Sequence, residues 1–335
     1  MVRETGRSGK RGQTLETAGR VGGSLRTVDK GGGATPSRPV DQRPAVHRGK
    51  PVSTPFVVEG NGVRLDCAQR THIMGILNVT PDSFSDGGAF YPVEAAVAHA
   101  LRMADEGADI IDIGGESTRP GSDGVSEEEE LRRVLPVITR LAPRLPVPLS
   151  IDTRKAEVAR QALAAGARIV NDVSAMTADP EMLRVVAEAG APVVLMHAIG
   201  TPKDMQRNPF YRDTLGEIVD FLNTRLEAAR QAGIPTSRIM LDPGIGFGKR
   251  VSDNLLILKS LRTLHPSGCP ILIGPSRKSF IGRVLDTPET ERLEGTAAAV
   301  ALGIAGGAHI VRVHDVRAMT RVARMTDAIL RVQQE

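Results

Sequence analysis

From His72 onward the chain alternates between short, nearly unbroken apolar runs and longer stretches in which apolar residues return every three or four positions. The short runs are HIMGILNV (72–79), DIIDIGG (109–115), PLSID (148–152), RIVNDVSA (168–175), PVVLMHA (192–198), IMLDPGI (239–245), PILIGPS (270–276) and IVRVHDV (310–316). Their length suits strands, and their continuity suits strands buried on both faces. Between them lie helical patterns such as VEAAVAHALRMADEGA, SEEEELRRVLPVITRLA and AEVARQALAAGA, and RAMTRVARMTDAILR closes the series. Several of these end in Ala-Gly or Gly-Ala just before the next strand, a helix stop signal. Upstream, Phe56-Val57-Val58-Glu59 and Val63-Arg64-Leu65 flank the turn formers Gly60-Asn61-Gly62, which predicts a β-hairpin. Eight strand–helix units thus fill residues 72–331. The α/β fold that this pattern predicts is a (β/α)8 TIM barrel, which takes about 250 residues. A doubly wound open sheet is the rival. The count of eight units, with no Gly-x-Gly-x-x-Gly turn after the first strand, favours the barrel.

Residues 1–50 do not join the pattern. They hold ten Gly, no aromatic residue and no apolar period, so they cannot bury enough surface to offset the entropy of ordering. The expected organisation is therefore a disordered, basic, Gly-rich tail over 1–50 and a single barrel domain over 51–335. The tail has no apolar core of the kind a secretory signal needs; a solvated tail, an over-extended start and an organellar transit segment stay open. It also carries the charge. It holds 11 of the 43 Lys and Arg and 4 of the 39 Asp and Glu, a surplus of seven positive charges, which leaves the remainder at −3. The barrel region has no bulk attraction for nucleic acid, and 3% aromatics give no base-stacking platform. The charge-free stretch Gly295–Val311 is mostly Ala and Gly, too weakly apolar for a membrane span. Two cysteines, Cys67 and Cys269, exclude a disulfide framework and fit a reducing compartment, so a soluble cytoplasmic protein is expected.

In a barrel of this kind the active site forms at the C-terminal ends of the strands. All eight apolar runs end in polar residues. For any one of them a turn is the better explanation; for all eight together it is the worse one. The last two ends pool Arg277, Lys278, Arg312 and His314, where barrels often hold a phosphate. Surface salt bridging with Asp286 or Glu289 is the plain alternative. The third, fourth and sixth ends present Asp152, Asn171 and Asp242 around one mouth. Such a set suits a heterocycle rich in N–H donors, but equally a metal, or helix caps. No His-x-His or His-Glu-x-x-His spacing suggests zinc. The run Glu127–Glu130 opens a helix, where acids suit the macrodipole, and is assigned no function.

The strings NVTPDSFSDGG, GGESTRPG, IDTRK, NDVSA, DPGIGFGK, SRKSFIG and RVHDV, in this order and spacing, resemble the dihydropteroate synthase family over roughly residues 56–331. Seven motifs at seven strand ends make this likeness far more specific than any one motif. The resemblance implies an enzyme that joins p-aminobenzoate to 6-hydroxymethyl-7,8-dihydropterin pyrophosphate, with Mg2+ assisting, to give 7,8-dihydropteroate and pyrophosphate. It implies a homodimer, and a place where sulfonamides compete with p-aminobenzoate. It assigns Asp152, Asn171, Asp242 and Lys278 to the pterin pocket, supported by Met196 and Gly246, and Asp152, Asp242 and Lys278 to catalysis. Arg312 and His314 would hold the diphosphate and Asn78 the metal. Ser117, Thr118, Pro120, Phe247 and Ser279 would shape the p-aminobenzoate side. The stretch Ala198-Ile199-Gly200-Thr201-Pro202 departs from the family, where Met-Gln often precedes the Gly. A pterin-binding methyltransferase with a corrinoid partner would keep the Asp and Asn positions but leave NVTPDSF and the basic cluster without a purpose. A non-catalytic relative would be expected to have lost some of these motifs. The loops Asn78–Gly88 and Gly114–Gly121 are expected to order only when diphosphate and Mg2+ are bound, because the reaction needs a dry site.

Overall fold

A computed structural model describes residues 56–80, 91–117, 121–201 and 203–332. The tail over 1–50, the segment 81–90 of the first long loop, and Thr118 and Pro120 of the second lie outside the described residues. The predicted hairpin is present as β1 (Val57–Gly60) and β2 (Val63–Asp66), turned by Asn61 and Gly62 in the left-handed region at φ 45° and 78°.

The eight predicted strands are all present: β3 (His72–Asn78), β4 (Ile110–Gly114), β5 (Leu149–Asp152), β6 (Ile169–Asp172), β7 (Val193–Met196), β8 (Ile239–Asp242), β9 (Leu272–Ile273) and β10 (Ile310–Val313). They pair in parallel in the order β8-β7-β6-β5-β4-β3-β10-β9, and a parallel bridge between Leu241 and Ile271 closes the ring. The helices are α1 (Tyr91–Asp105), α2 (Glu127–Leu141), α3 (Ala156–Ala164), α4 (Met182–Ala189), α5 (Thr214–Gln231), α6 (Val251–Lys259), α7 (Ser279–Leu285), α8 (Leu293–Ala305) and α9 (Val316–Arg331). The fold is thus a TIM barrel, with one addition to the predicted eight units. After β9 the chain makes the short helix α7, stops at Asp286 in the left-handed region, and only then forms α8.

Side chains alternate across each strand, so parity along the sequence decides which face a residue takes. Ile111, Ile113, Leu149, Ile151, Leu195, Leu241, Ile273 and Val313 face outward and pack with the helices. Met74, Ile110, Ile169, Val194, Met240, Leu272 and Ile310 face inward and form an apolar layer with Val58, Val63 and Leu65 of the hairpin. Two residues further along the same strands come Ile76, Asp112, Asn171, Met196, Asp242, Gly274 and Arg312. All of these but Asp112 line a cavity of about 480 Å³. The step from fold to site is therefore one turn of the pleat.

Candidate active site

Parity also separates turn residues from cavity residues at the strand ends. On β6, Asn171 faces inward. Its neighbour Asp172 instead holds the following turn, accepting from Ser174 N and Oγ, both at 2.7 Å, and from Met176 N at 3.0 Å. After β10, His314 lines the cavity while Asp315 takes a two-point ion pair from Arg277, at 2.9 and 2.5 Å. Arg277 thus takes Asp315 as its direct ion-pair partner, and Glu289 adds a weaker charge interaction.

Arg312 sits at the centre. Its Nε donates to Asp112 Oδ2 at 2.6 Å and its Nη2 to Asp152 Oδ2 at 2.7 Å. Burial works against its charge, and the two carboxylates more than offset it, so its pKa is held above the ordinary value. One edge of the guanidinium is thereby committed, and Nη1 makes no hydrogen bond among the described residues. Asp152 does not itself line the cavity; it lies behind Arg312. Burial raises its pKa, against the pull of Arg312.

Asp242, at the end of β8, accepts from Gly244 N at 2.7 Å, and burial pushes its pKa up to about 6. Lys278 lies across the cavity floor with Nζ 4.0 Å from the centroid of Phe247, a cation–π contact. Burial, aided by Arg312, lowers its pKa to about 8. Gly246 makes room for it. A Cβ there would stand 2.8 Å from Lys278 Cδ, and the backbone is already left-handed at φ 84°. His314 is neutral, its pKa lowered to about 3 by burial and then by Arg312, Arg277 and Lys278. Its backbone N–H donates to Ser276 Oγ at 3.1 Å and the hydroxyl lies 3.0 Å from Nδ1. Nδ1 is thus tied to Ser276, and Nε2 is the ring nitrogen left for a ligand.

Asn78, Ser117, Met196 and Ser279 also line the cavity, so the structure brings together every described residue that the sequence assigned to the site, with Asp152 one side chain removed. Sequence reading missed a supporting set around the β8–α6 loop. Lys249, 2% exposed, donates to Phe247 O at 3.0 Å and His197 O at 3.3 Å, and lies 3.0 Å from His197 Nδ1. Burial lowers its pKa to about 7. Gln206 Nε2 donates to Gly246 O, and Gly246 N to Asn254 Oδ1, at 2.8 and 2.7 Å. Only the Lys of DPGIGFGK offered a signal, an unexplained charge in a Gly-rich string. Arg292 and Glu289, from the connection between α7 and α8, line the cavity too and belong to an element that the strand-end reading did not contain.

No three His, Cys, Asp or Glu side chains gather as a metal cage among the described residues. Asn78 Oδ1 stands across Gly114 from Asp152: a Cβ on Gly114 would lie 3.8 Å from the one and 3.6 Å from the Cβ of the other. Asn78 Oδ1, with Asp152 Oδ2 also within 3.7 Å of that Cβ, is a donor set that fits Mg2+, which keeps several waters and takes other oxygens from phosphates.

A parallel barrel with a polar-lined cavity at the C-terminal ends of its strands is the arrangement of barrel enzymes. The sequence model of the pterin binding enzyme family matches residues 74–314. The dihydropteroate synthase of Synechocystis sp. is 51% identical over 267 residues, covering 79% of this chain and 92% of that protein. A structure of Xanthomonas albilineans dihydropteroate synthase with 4-aminobenzoic acid superposes with a TM-score of 0.79 at 48% identity, covering 84% of this chain and all of that one. Another, of the same organism's enzyme with 7,8-dihydropteroate, gives 0.75 at 45%, covering 83% of this chain and all of that one. The chain belongs to the pterin-binding enzymes and, among them, to the dihydropteroate synthases, transferases of folate biosynthesis.

Proposed function

We propose that this cavity joins p-aminobenzoate to 6-hydroxymethyl-7,8-dihydropterin pyrophosphate, releasing 7,8-dihydropteroate and pyrophosphate. The observation that carries this reading is the split polarity of the walls: acceptors on Asp242 and Asn171, against donors on Arg312, Lys278 and His314. A dihydropterin carries N–H donors along one edge, which Asp242 and the Asn171 amide accept. Met196 supports its face, and Lys278, held over Phe247, sits beside it. The uncommitted edge of Arg312 and Nε2 of His314 take the diphosphate. Ser117 and Ser279 flank the outer end, where the aminobenzoate stands, with Thr118 and Pro120 from the adjoining loop.

The amine is a neutral nucleophile near pH 7 and needs no strong base. The demand falls on the leaving group, so the diphosphate departs before the amine attacks. Arg312, Lys278 and His314 stabilise it as donors that already line the cavity. Asp242 and Asp152 offset the positive charge that develops at the pterin methylene. Mg2+, held by Asn78 and the substrate's own phosphates, supplies further charge neutralisation when bound.

We extend the reading to a homodimer in the cytoplasm. Leu285, Leu293 and Leu302 of α7 and α8 are large apolar residues left exposed, which suits a second copy, and both cysteines are buried thiols outside any disulfide. Among the described residues no helix is long and apolar enough to cross a membrane. Pyrophosphate release, measured with each substrate omitted in turn, tests the reaction. Release only with both substrates supports it; equal release without p-aminobenzoate sinks it.

A further inference from the structure

Asp112 lies in the middle of β4 and is fully buried. It stands in the inner layer whose other members line the cavity, yet it does not reach the cavity itself. One of its oxygens, Oδ2, accepts from two residues that do: Arg312 Nε at 2.6 Å and Asn171 Nδ2 at 2.9 Å. The other, Oδ1, is buried without a hydrogen-bond partner among the described residues. A buried carboxylate half satisfied in this way is a poor stabiliser of a fold. Its service is in what it does to its two donors.

For Asn171 the consequence is orientation. The amide nitrogen donates to Asp112 Oδ2, so the amide oxygen is turned away from it. An asparagine without that partner is as ready to present N–H as C=O. For Arg312 the consequence is which edge is spent. Asp112 takes Nε while Asp152 takes Nη2, so the guanidinium is pinned in its plane at two points, from strands β4 and β5. With Asp152 alone it could swing about a single contact.

We propose that Asp112 is a positioning residue that sets both halves of the pterin diphosphate site at once: it holds Asn171 with its acceptor toward the heterocycle and Arg312 with its free edge toward the diphosphate. This rests on Asn171 and Arg312 being ligand contacts, as read above.

The test uses the full-length protein and the Asp112→Leu variant, whose side chain is close in shape but accepts no hydrogen bond from either neighbour. Calorimetry measures binding of 6-hydroxymethylpterin, and separately of inorganic pyrophosphate with Mg2+, and steady-state kinetics give KM for p-aminobenzoate. Both affinities should fall at least tenfold, while the KM changes less than twofold. In an Arg312→Ala background, Asp112→Leu should cost less than a further twofold in pyrophosphate affinity. Affinities unchanged in the single variant, or a full additional loss in that background, overturn the proposal. If Arg312→Ala and Asn171→Ala themselves bind both ligands normally, the ligand-contact reading has failed instead, and the proposal falls with it. Should Asp112→Leu not fold, Asp112→Glu keeps a carboxyl group on a longer arm: a fivefold loss of both ligands supports the proposal, and unchanged affinity overturns it.

Discussion

At the scale of single residues, burial has set the two working ionisations of the cavity on either side of neutrality. Asp242 must be ionised to accept from a pterin, and burial has raised its pKa to about 6. As pH falls through that value it takes a proton, loses its charge and presents an O–H donor toward the pterin's own donors. Lys278 must be charged to face a diphosphate, and burial has lowered its pKa to about 8. As pH rises through that value its charge is lost. The pH profile of kcat/KM for the pterin substrate should therefore be bell-shaped, with limbs near these values. Lys278→Arg, which cannot deprotonate, should remove the alkaline limb whatever it does to the maximum. A profile flat from pH 5 to 9 would contradict both assignments. Asp242→Asn should cut turnover at least a hundredfold with little change in Tm. It leaves the shape of the floor but presents N–H where the pterin also donates. Near-normal pterin affinity in that variant, measured by calorimetry, removes Asp242 from the pocket.

At the scale of elements, the strand ends carried most of the legible information, and the reason is geometric. Apolar runs ending in polar residues predicted the barrel, its eight strands and nearly all of the cavity. Asp112 escaped because it sits inside a run, in IIDIG, where reading only the ends cannot see it. Parity along the strand would have found it, since Ile110 and Asp112 share a face. Arg312 was found, but its tie to Asp112 and Asp152 spans 200 and 160 positions of sequence, which no local pattern encodes. Helix α7 and the residues Glu289 and Arg292 behind it were hidden because SRKSFIG reads as a phosphate turn and a helix start alike. The β8–α6 loop tests how far one element governs another. Gly246→Ala must hold a left-handed backbone and push Lys278 aside, so it should cost roughly 1–2 kcal/mol in urea unfolding and lower kcat/KM at least tenfold. A variant with lost activity and wild-type stability would mean that the backbone accommodates alanine and only Lys278 has moved.

At the scale of the whole molecule, the charge is divided: the seven surplus positive charges lie in residues 1–50 and the barrel region is at −3. Nothing in the cavity chemistry calls on the tail. Deleting residues 1–50 should leave Tm and pyrophosphate release within experimental scatter of the full chain, and a loss of most turnover would give the tail a role in the enzyme. The hairpin has the opposite standing. Val58, Val63 and Leu65 are packed against the lowest inner layer, so the far end of the barrel is stoppered by side chains. Traffic through this enzyme is then one-way in space but two-way in time: both substrates arrive, and both products depart, by the same door. On the proposed reaction, a pyrophosphate that lingers would bar the next pterin diphosphate, and a lingering dihydropteroate would bar both substrates. Initial-rate measurements should find pyrophosphate competitive against the pterin substrate and dihydropteroate competitive against each in turn. Purely noncompetitive inhibition by both products would contradict their occupying the substrates' places in this cavity.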